Sequence, residues 1–329
     1  MPRWNRLPMT FGLLAAAIGA VVTTAHAQDY PARAVRVISP NPPGGANDTV
    51  TRIIADKLGE RFGQRFVIDN RGGAGGTIGA HLAATAPADG YTLLAGSVST
   101  HSFAPIISPK LPYDPVKDFA PVSVFAIVQN ILVVNPGLGV GSVADLVALA
   151  KAKPEGLNYA SGGPGSTSHF AVAIFAATAG IAKYSLHIPF KGGAPALTAV
   201  VQGDAHFYFG PVPGMMPMIT SGRAKAIGVS GPARFPALPD VPTVQEAGLS
   251  SYHSTGWFGL LAPARTPPEI VASLSRAVGE AVKAPDVVKG FAAHGIEPLA
   301  NTPEEFARYI GEQAALYRQL ARQHDLKLD

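Results

Sequence analysis

Short apolar runs alternate along the chain with apolar positions at helical spacing, and glycine-rich loops join the two. Residues 35–39 form an apolar strand that runs into Pro40-Asn41-Pro42-Pro43-Gly44-Gly45, after which Val50, Ile53, Ile54 and Leu58 recur at helix period. The same strand-loop-helix unit is predicted at 91–95, followed by Gly96-Ser97-Val98-Ser99-Thr100, and at 157–160, followed by Ser161-Gly162-Gly163-Pro164-Gly165-Ser166. It recurs at 185–189, followed by Phe190-Lys191-Gly192-Gly193 and a helical run over 196–201. This alternation predicts an α/β fold of mostly parallel sheets flanked by helices, with ligands held beyond the carboxyl ends of the strands. Residues 267–282 and 303–324 read as amphipathic helices, the second through Phe306, Ile310, Tyr317 and Leu320.

Two segments read as crossings between domains. One is the long apolar run 122–134, broken by Gln129-Asn130; the other is 248–262, where Tyr252, Trp257 and Phe258 sit amid serines and glycines. About 300 residues exceeds what one core usually serves. The expected division is therefore a first domain of 28–130 plus 249–329 and a second of 131–248, with the two crossings as a hinge.

The N-terminus has the three parts of a secretory signal. Arg3 and Arg6 precede an apolar stretch over 7–22, interrupted by Thr10, and Ala25-His26-Ala27 supplies a small-x-small exit. Residues 1–27 are thus expected to be a cleaved signal peptide, with a periplasmic mature chain of 302 of the 329 residues. Cleavage takes two arginines and no acid, lowering the formal charge from +4 to +2. No basic stripe for nucleic acid remains, and no later stretch is apolar and long enough to span a bilayer. The chain has no cysteine, which excludes disulfides, thiolate metal sites, cysteine nucleophiles and lipidation at an N-terminal cysteine.

A search for enzymatic signatures finds no G-x-S-x-G, S-x-x-K, H-E-x-x-H or Walker A sequence. The run Gly73-Ala74-Gly75-Gly76-Thr77-Ile78-Gly79 lacks dinucleotide-binding spacing and reads as a tight turn with close helix packing. His101 and His169 follow serine- and threonine-rich loops, but nothing local supplies an orienting acid or an oxyanion hole. No histidine has metal-ligand spacing, and neither a metal nor a cofactor is expected.

The positive signal is repetition. Glycine-rich loops at 43–45 and 162–165, one in each expected domain, present backbone N–H groups at helix N-termini, where the helix dipole favours anions. Ser97, Ser99, Thr100, Ser161, Ser166 and Thr167 add neutral hydroxyls, which suits a carboxylate held without a permanent ion pair. Two plainer readings stand beside this: Asn47 and Ser166 as helix caps, and Asp48 as a capping acid or as a partner for a cationic ligand group.

These loops also carry a family likeness. Pro42-Pro43-Gly44-Gly45-Ala46-Asn47-Asp48 with Arg52, then Asn70-Arg71-Gly72-Gly73-Ala74-Gly75-Gly76-Thr77-Ile78-Gly79, Asp89-Gly90-Tyr91-Thr92-Leu93-Leu94 and Leu111-Pro112-Tyr113-Asp114-Pro115 occur in order. They are followed by Tyr159-Ala160-Ser161-Gly162-Gly163-Pro164-Gly165-Ser166 with His169, Pro189-Phe190-Lys191-Gly192, Leu238-Pro239-Asp240-Val241-Pro242-Thr243 and Trp257. The set resembles the substrate-binding proteins of tripartite tricarboxylate transporters, the Bordetella uptake gene receptors. The resemblance implies a two-domain, periplasmic-binding-protein-like Venus flytrap without catalysis. Such a receptor is a monomer that closes on a small carboxylated solute and delivers it to membrane permease subunits.

Carried onto matching positions, the resemblance implies ligand contacts from Pro43, Gly44, Gly45 and Asn47 on one side and from Ser161, Gly165, Ser166 and Thr167 on the other. Ser97 and Thr100 lie nearby, and Lys191, Gly192 and Ala194 form a further wall. Where the family commonly has G-x-x-D, this chain reads Gly203-Asp204-Ala205-His206. His206, with Tyr208, is accordingly expected either to contact the ligand and favour an aromatic or dicarboxylic acid over an amino acid, or merely to end a strand. Two other functions are set beside transport: a periplasmic sensor subunit for a signalling receptor, and an exported hydrolase using Ser166 and His169.

Overall fold

The apolar run 35–39 is strand β1 (Val35–Ser39), and the proline-glycine loop after it feeds helix α1 (Ala46–Phe62), which buries Val50, Ile54 and Leu58. This is a computed structural model, which describes residue 1, residues 30–324 apart from 109, 154 and 253, and residue 326. Apart from Met1, the expected signal peptide lies outside the described residues. Residues 31–329 form one compact unit.

The chain continues through β2 (Phe66–Asn70), α2 (Thr77–Ala84), β3 (Thr92–Ser97), a π-helical turn over Ser99–Phe103, α3 (Ala104–Ile107) and the long strand β4 (Phe119–Val134). Then come α4 (Val143–Ala152), β5 (Leu157–Ser161), α5 (Thr167–Thr178), β6 (Ser185–Pro189), α6 (Gly193–Gln202), β7 (Phe207–Pro211), α7 (Met216–Thr220) and β8 (Lys225–Val229). The last part holds β9 (Thr255–Pro263), α8 (Pro268–Ala281), α9 (Pro285–Ala293), β10 (Ile296–Pro298) and α10 (Pro303–Gln323). Among the described residues, no helix is long and apolar enough to cross a membrane.

The strand order is β2-β1-β3-β9-β4-β7-β5-β6, with β8 and β10 also pairing β4. Outer strands pair in parallel: β1 with β2 and β3, and β5 with β6 and β7. The central pairs are antiparallel, and β4 serves both halves: Phe119 to Gln129 pair with β9, whereas Asn130 to Val134 pair with β7. The polar pair Gln129-Asn130 thus falls where the strand changes neighbours. Burying Asn130 there requires partners. Its amide Nδ2 donates to the Ser254 carbonyl at 3.2 Å and hydroxyl at 3.1 Å, and its backbone N–H donates to Ser230 Oγ at 2.8 Å.

Aromatic side chains fill the adjoining core. Phe103 stacks on Phe170 with centroids 3.8 Å apart and meets Tyr317 edge-on at 4.6 Å, while Trp257 meets Phe306 edge-on at 5.3 Å. All five rings are buried. Such aromatic pairs add about 0.5–1.5 kcal/mol each beyond area burial. The N-terminus of α10 carries a full capping box, Thr302 with Glu305, which anchors the helix that delivers Phe306 and Tyr317.

Candidate functional site

The loops after β1, β2, β3, β5 and β6 meet along one seam. A Cβ built on Gly192 would lie 3.1 Å from Cγ of Pro42, and one on Gly75 would lie 2.9 Å from the Pro164 carbonyl oxygen. A Cβ on Gly162 would lie 3.3 Å from the Gly193 nitrogen. Ser99 Oγ and Thr167 Oγ1 are hydrogen-bonded across the seam at 2.9 Å. Three helices therefore begin here: α1 after Gly45, α5 after Ser166 and α6 after Gly192. No side chain caps α1 or α6. Their first-turn N–H groups are donors without a helical acceptor, carrying the positive end of the helix dipole.

The first loop is built around Asp48. Its carboxylate is paired to Arg52 at 2.8 Å, accepts the Asn70 amide at 2.8 Å and accepts the Gly44 N–H at 2.9 Å. Burial pushes this carboxyl up, but the bonds from Arg52, Asn70 and Gly44 outweigh it and hold the pKa below the usual carboxylate value. Asp48 therefore does not cap the helix: it is neutralised by Arg52 and ties down the loop before α1, and two of the N–H groups expected to face a ligand are already spoken for, that of Gly44 by Asp48 and that of Gly45 by the Pro42 carbonyl at 3.2 Å. Pro43 and Gly44 are exposed and Gly45 is half-buried.

Several expected ligand residues are committed inside the protein. Asn47 is buried; its Nδ2 donates to the Ala95 carbonyl at 2.9 Å, and its Oδ1 accepts Ser39 Oγ at 3.0 Å and Thr51 Oγ1 at 3.4 Å. It fastens α1 to β1 and β3, leaving only its backbone toward the seam. Thr100 is consumed in its own turn, where Oγ1 accepts the Ser97 N–H and bonds the Ser97 carbonyl, each at 3.0 Å. Ser97 is buried in the same turn. Ser166 caps α5 by accepting the His169 N–H at 3.2 Å. Ser161 is buried, accepting the Gly163 N–H at 3.0 Å and bonding His187 Nε2 at 2.6 Å.

The second loop has further internal bonds. Gly162 N–H donates to Ser168 Oγ at 2.9 Å and Gly165 N–H to His169 Nδ1 at 3.3 Å. The His169 ring thus serves Gly165, not Ser166, so the two do not form a nucleophile-base pair. Burial, then the neighbouring His187, lowers the His169 pKa to about 3. Gly192 lies in the seam, and the exposed Lys191 and Ala194 stand at its α6 edge, the Ala194 carbonyl accepting Thr198 Oγ1 at 3.0 Å. Tyr208 is buried beside Ser168, and burial raises its phenol to about 12.

His206 does not join these residues. It immediately precedes β7, so it lies at the start of the strands, whereas the seam lies beyond their carboxyl ends. Its Nδ1 accepts the Asn158 N–H at 2.8 Å and its own N–H donates to the Asn158 carbonyl at 2.9 Å. His206 therefore stands at the amino end of β7, away from the seam. His101 is likewise internal: it is fully buried against Phe119 and Trp257, with Nδ1 bonded to Thr100 Oγ1 at 2.8 Å and a pKa lowered by burial to about 3. Sequence reasoning missed Gly75, Ser168 and His187 at the seam. The glycine-rich run signalled the first, but the β5–β6 pairing that brings His187 to Ser161 has no local signature, and nothing local marks Ser168 as the acceptor of the Gly162 N–H.

Among the described residues, no three histidine or acidic side chains gather as a metal site. What the seam offers is backbone N–H groups at helix N-termini, the hydroxyls of Ser99 and Thr167, and an acid whose charge is cancelled by Arg52. By its chemistry that arrangement suits an anion.

Comparison with known proteins gives the same class. The tripartite tricarboxylate transporter family receptor matches residues 50–326. Protein BugT of Bordetella pertussis is 34% identical over 325 residues, covering 98% of this chain and 99% of its own. A Rhodopseudomonas palustris protein solved with adipate superposes with a TM-score of 0.87 at 35% identity, covering 91% of this chain and 99% of its own. A second R. palustris protein, solved with bound malate, gives 0.82 at 32% identity, covering 88% and 99%. The fold is that of two-domain periplasmic binding proteins, and similarity along nearly the whole length makes this chain a member of the tripartite tricarboxylate transporter receptor family, whose members are solute receptors and not enzymes.

Proposed function

We propose that this chain is an exported receptor that closes on a small dicarboxylate at the seam and presents it to membrane permease subunits. The observation that carries this reading is the meeting of the α1, α5 and α6 N-termini around two neutral hydroxyls, with Asp48 already neutralised. Three donor clusters suit a ligand with a negative group at each end better than one with a single carboxylate. An amino acid gains nothing from the acid nearest the seam, since Arg52, Asn70 and Gly44 occupy its oxygens. The relatives solved with adipate and malate carry dicarboxylates, which supports the same class.

Closure follows from linkage. In this reading 28–130 with 249–329 and 131–248 are the two lobes, β4 and the segment entering β9 are the hinge, and a ligand that touches both lobes stabilises only the closed form. Thermal-shift screening of the chain from residue 28, against mono-, di- and tricarboxylates and amino acids, tests the ligand class. A dicarboxylate at 100 times its Kd is expected to add about 2.7 kcal/mol of stability. Preference for an amino acid, or no response to any carboxylate, overturns the reading. Ligand-dependent copurification with transporter membrane subunits tests delivery; copurification with a signalling receptor instead would assign the sensor role.

A further inference from the structure

Behind the second loop lies a stack of rings that the ligand reading does not use. His187 stacks on His169 with centroids 4.2 Å apart and planes 9° off parallel, and on its other face lies Tyr159 at 4.8 Å and 13°. Tyr159 and His187 are register partners on β5 and β6, and His169 stands in the first turn of α5. Each histidine reaches the loop. His169 Nδ1 accepts the Gly165 N–H directly, and His187 Nε2 bonds Ser161 Oγ, which accepts the Gly163 N–H.

These bonds dictate protonation. An N–H donor at Gly165 requires a bare Nδ1 on His169, so its proton is on Nε2. Buried Ser161 already accepts from Gly163, and among the described residues His187 Nε2 is the acceptor within reach of its hydroxyl proton. Giving that hydroxyl proton its acceptor assigns the His187 proton to Nδ1. Charging both stacked rings at 4.2 Å would set like charges face to face, and burial lowers both pKa values.

The geometry points to His169 and His187 as positioning residues that, as a neutral stacked pair, hold the 162–166 loop in the shape that turns the first-turn N–H groups of α5 toward the ligand carboxylate. The inference rests on the carboxylate reading for its ligand. With the N–H groups of Gly162, Gly163 and Gly165 all drawn inward, Thr167 and Ser168 are left at the seam as donors. The pair thus sets which donors the ligand meets without touching it.

The test compares His169→Asn and His169→Leu, and His187→Gln and His187→Phe, by isothermal titration with adipate and malate. Asparagine offers an oxygen near the Nδ1 position and glutamine a polar group near Nε2, while leucine and phenylalanine fill space without an acceptor. The acceptor-free variants are expected to lose affinity on the order of tenfold, and the amide variants to recover most of it. Equal affinity for all four and wild type would overturn the assignment, as would equal loss with no rescue. Ligand-free amide NMR makes the result independent of the ligand's identity. Gly165 is expected to lose its hydrogen-bonded shift and exchange protection in His169→Leu, and Gly163 in His187→Phe, with both retained in the amide variants. If wild type binds no carboxylate the receptor reading fails, and the glycine signals still decide whether the histidines set the loop; unchanged signals in every variant would overturn it. Should His169→Leu not fold, His187→Phe, which keeps a flat ring between Tyr159 and His169, carries the comparison alone.

Discussion

Replacing Gly75 by alanine isolates closure of the seam from the stability of the fold. Gly75 has φ 65° and ψ 15°, and its added Cβ would lie 2.9 Å from the Pro164 oxygen and 3.0 Å from the Gly165 carbonyl carbon. Gly63, at the C-terminus of α1, has nearly the same backbone, φ 65° and ψ 13°, with nothing within 4 Å of an added Cβ. Both alanines bear the left-handed strain of about 1–2 kcal/mol. Only Gly75→Ala adds a collision with backbone across the seam, which cannot swing away as a side-chain tip does. Overpacking of this kind costs about 1–3 kcal/mol, and the seam escapes it by staying open. In the receptor reading that cost falls on the ligand-bound, closed form, so affinity drops roughly 5- to 150-fold. Gly63→Ala should lose denaturation midpoint while binding like wild type; Gly75→Ala should lose affinity as well. Calorimetric titration of both against the same dicarboxylate, with urea unfolding alongside, reads the two effects separately. Equal affinity in the two variants would refute the argument that closure brings 75 and 164–165 together.

Other expectations follow from the same contacts. Arg52→Met removes the cation that cancels Asp48, so carboxylate affinity at pH 7.5 should fall several-fold and recover partly as the pH is lowered toward the Asp48 pKa; a titration series in pH checks this. Acid should destabilise the fold through His101 and His169, whose pKa values lie at about 3 against about 6.5 unfolded. Their contribution is complete above pH 6.5 and is lost as the pH falls toward 3, about 2 kcal/mol per ring by pH 5. Urea midpoints at pH 7.5 and 5 measure it, and equal midpoints would contradict the burial of both rings. Asn47→Ala strands the Ala95 carbonyl and the Ser39 hydroxyl, costing about 1–3 kcal/mol in unfolding free energy by chemical denaturation.

The elements were legible where hydrophobic period and loop chemistry agreed. Residues 35–39 and 185–189 are β1 and β6 as read, and the α10 pattern of Phe306, Ile310, Tyr317 and Leu320 is its buried face. Strand β8 and helix α9 escaped because neither carries a loop motif or a long period. At the site, backbone was legible and side chains were not. Asn47, Thr100, Ser161 and Ser166 look like ligand donors in one dimension because they flank glycine loops. In three dimensions Asn47 fastens α1 to β1 and β3, and Thr100, Ser161 and Ser166 each complete a turn or cap that the same loop requires, since a buried N–H without an acceptor costs about 1–3 kcal/mol. His206 misled for another reason: a family position was read without the strand that follows it, and that strand turns it to the opposite end of the sheet.

That pattern has a consequence for selectivity. In the proposed receptor reading, a loop whose hydroxyls and histidines bond its own N–H groups would meet its ligand through the N–H groups left over, and those at the starts of α1, α5 and α6 are fixed by helix geometry rather than by rotamer. Backbone donors recognise a carboxylate wherever it is attached, so the end groups are recognised by the scaffold. The length and substituents of the solute are then left to side chains lining the space between, which substitution can alter without unmaking the anion clasp. A receptor of this kind should change its dicarboxylate preference on mutation of Ser99 or Thr167, which link across the seam, more readily than it should lose carboxylate binding altogether.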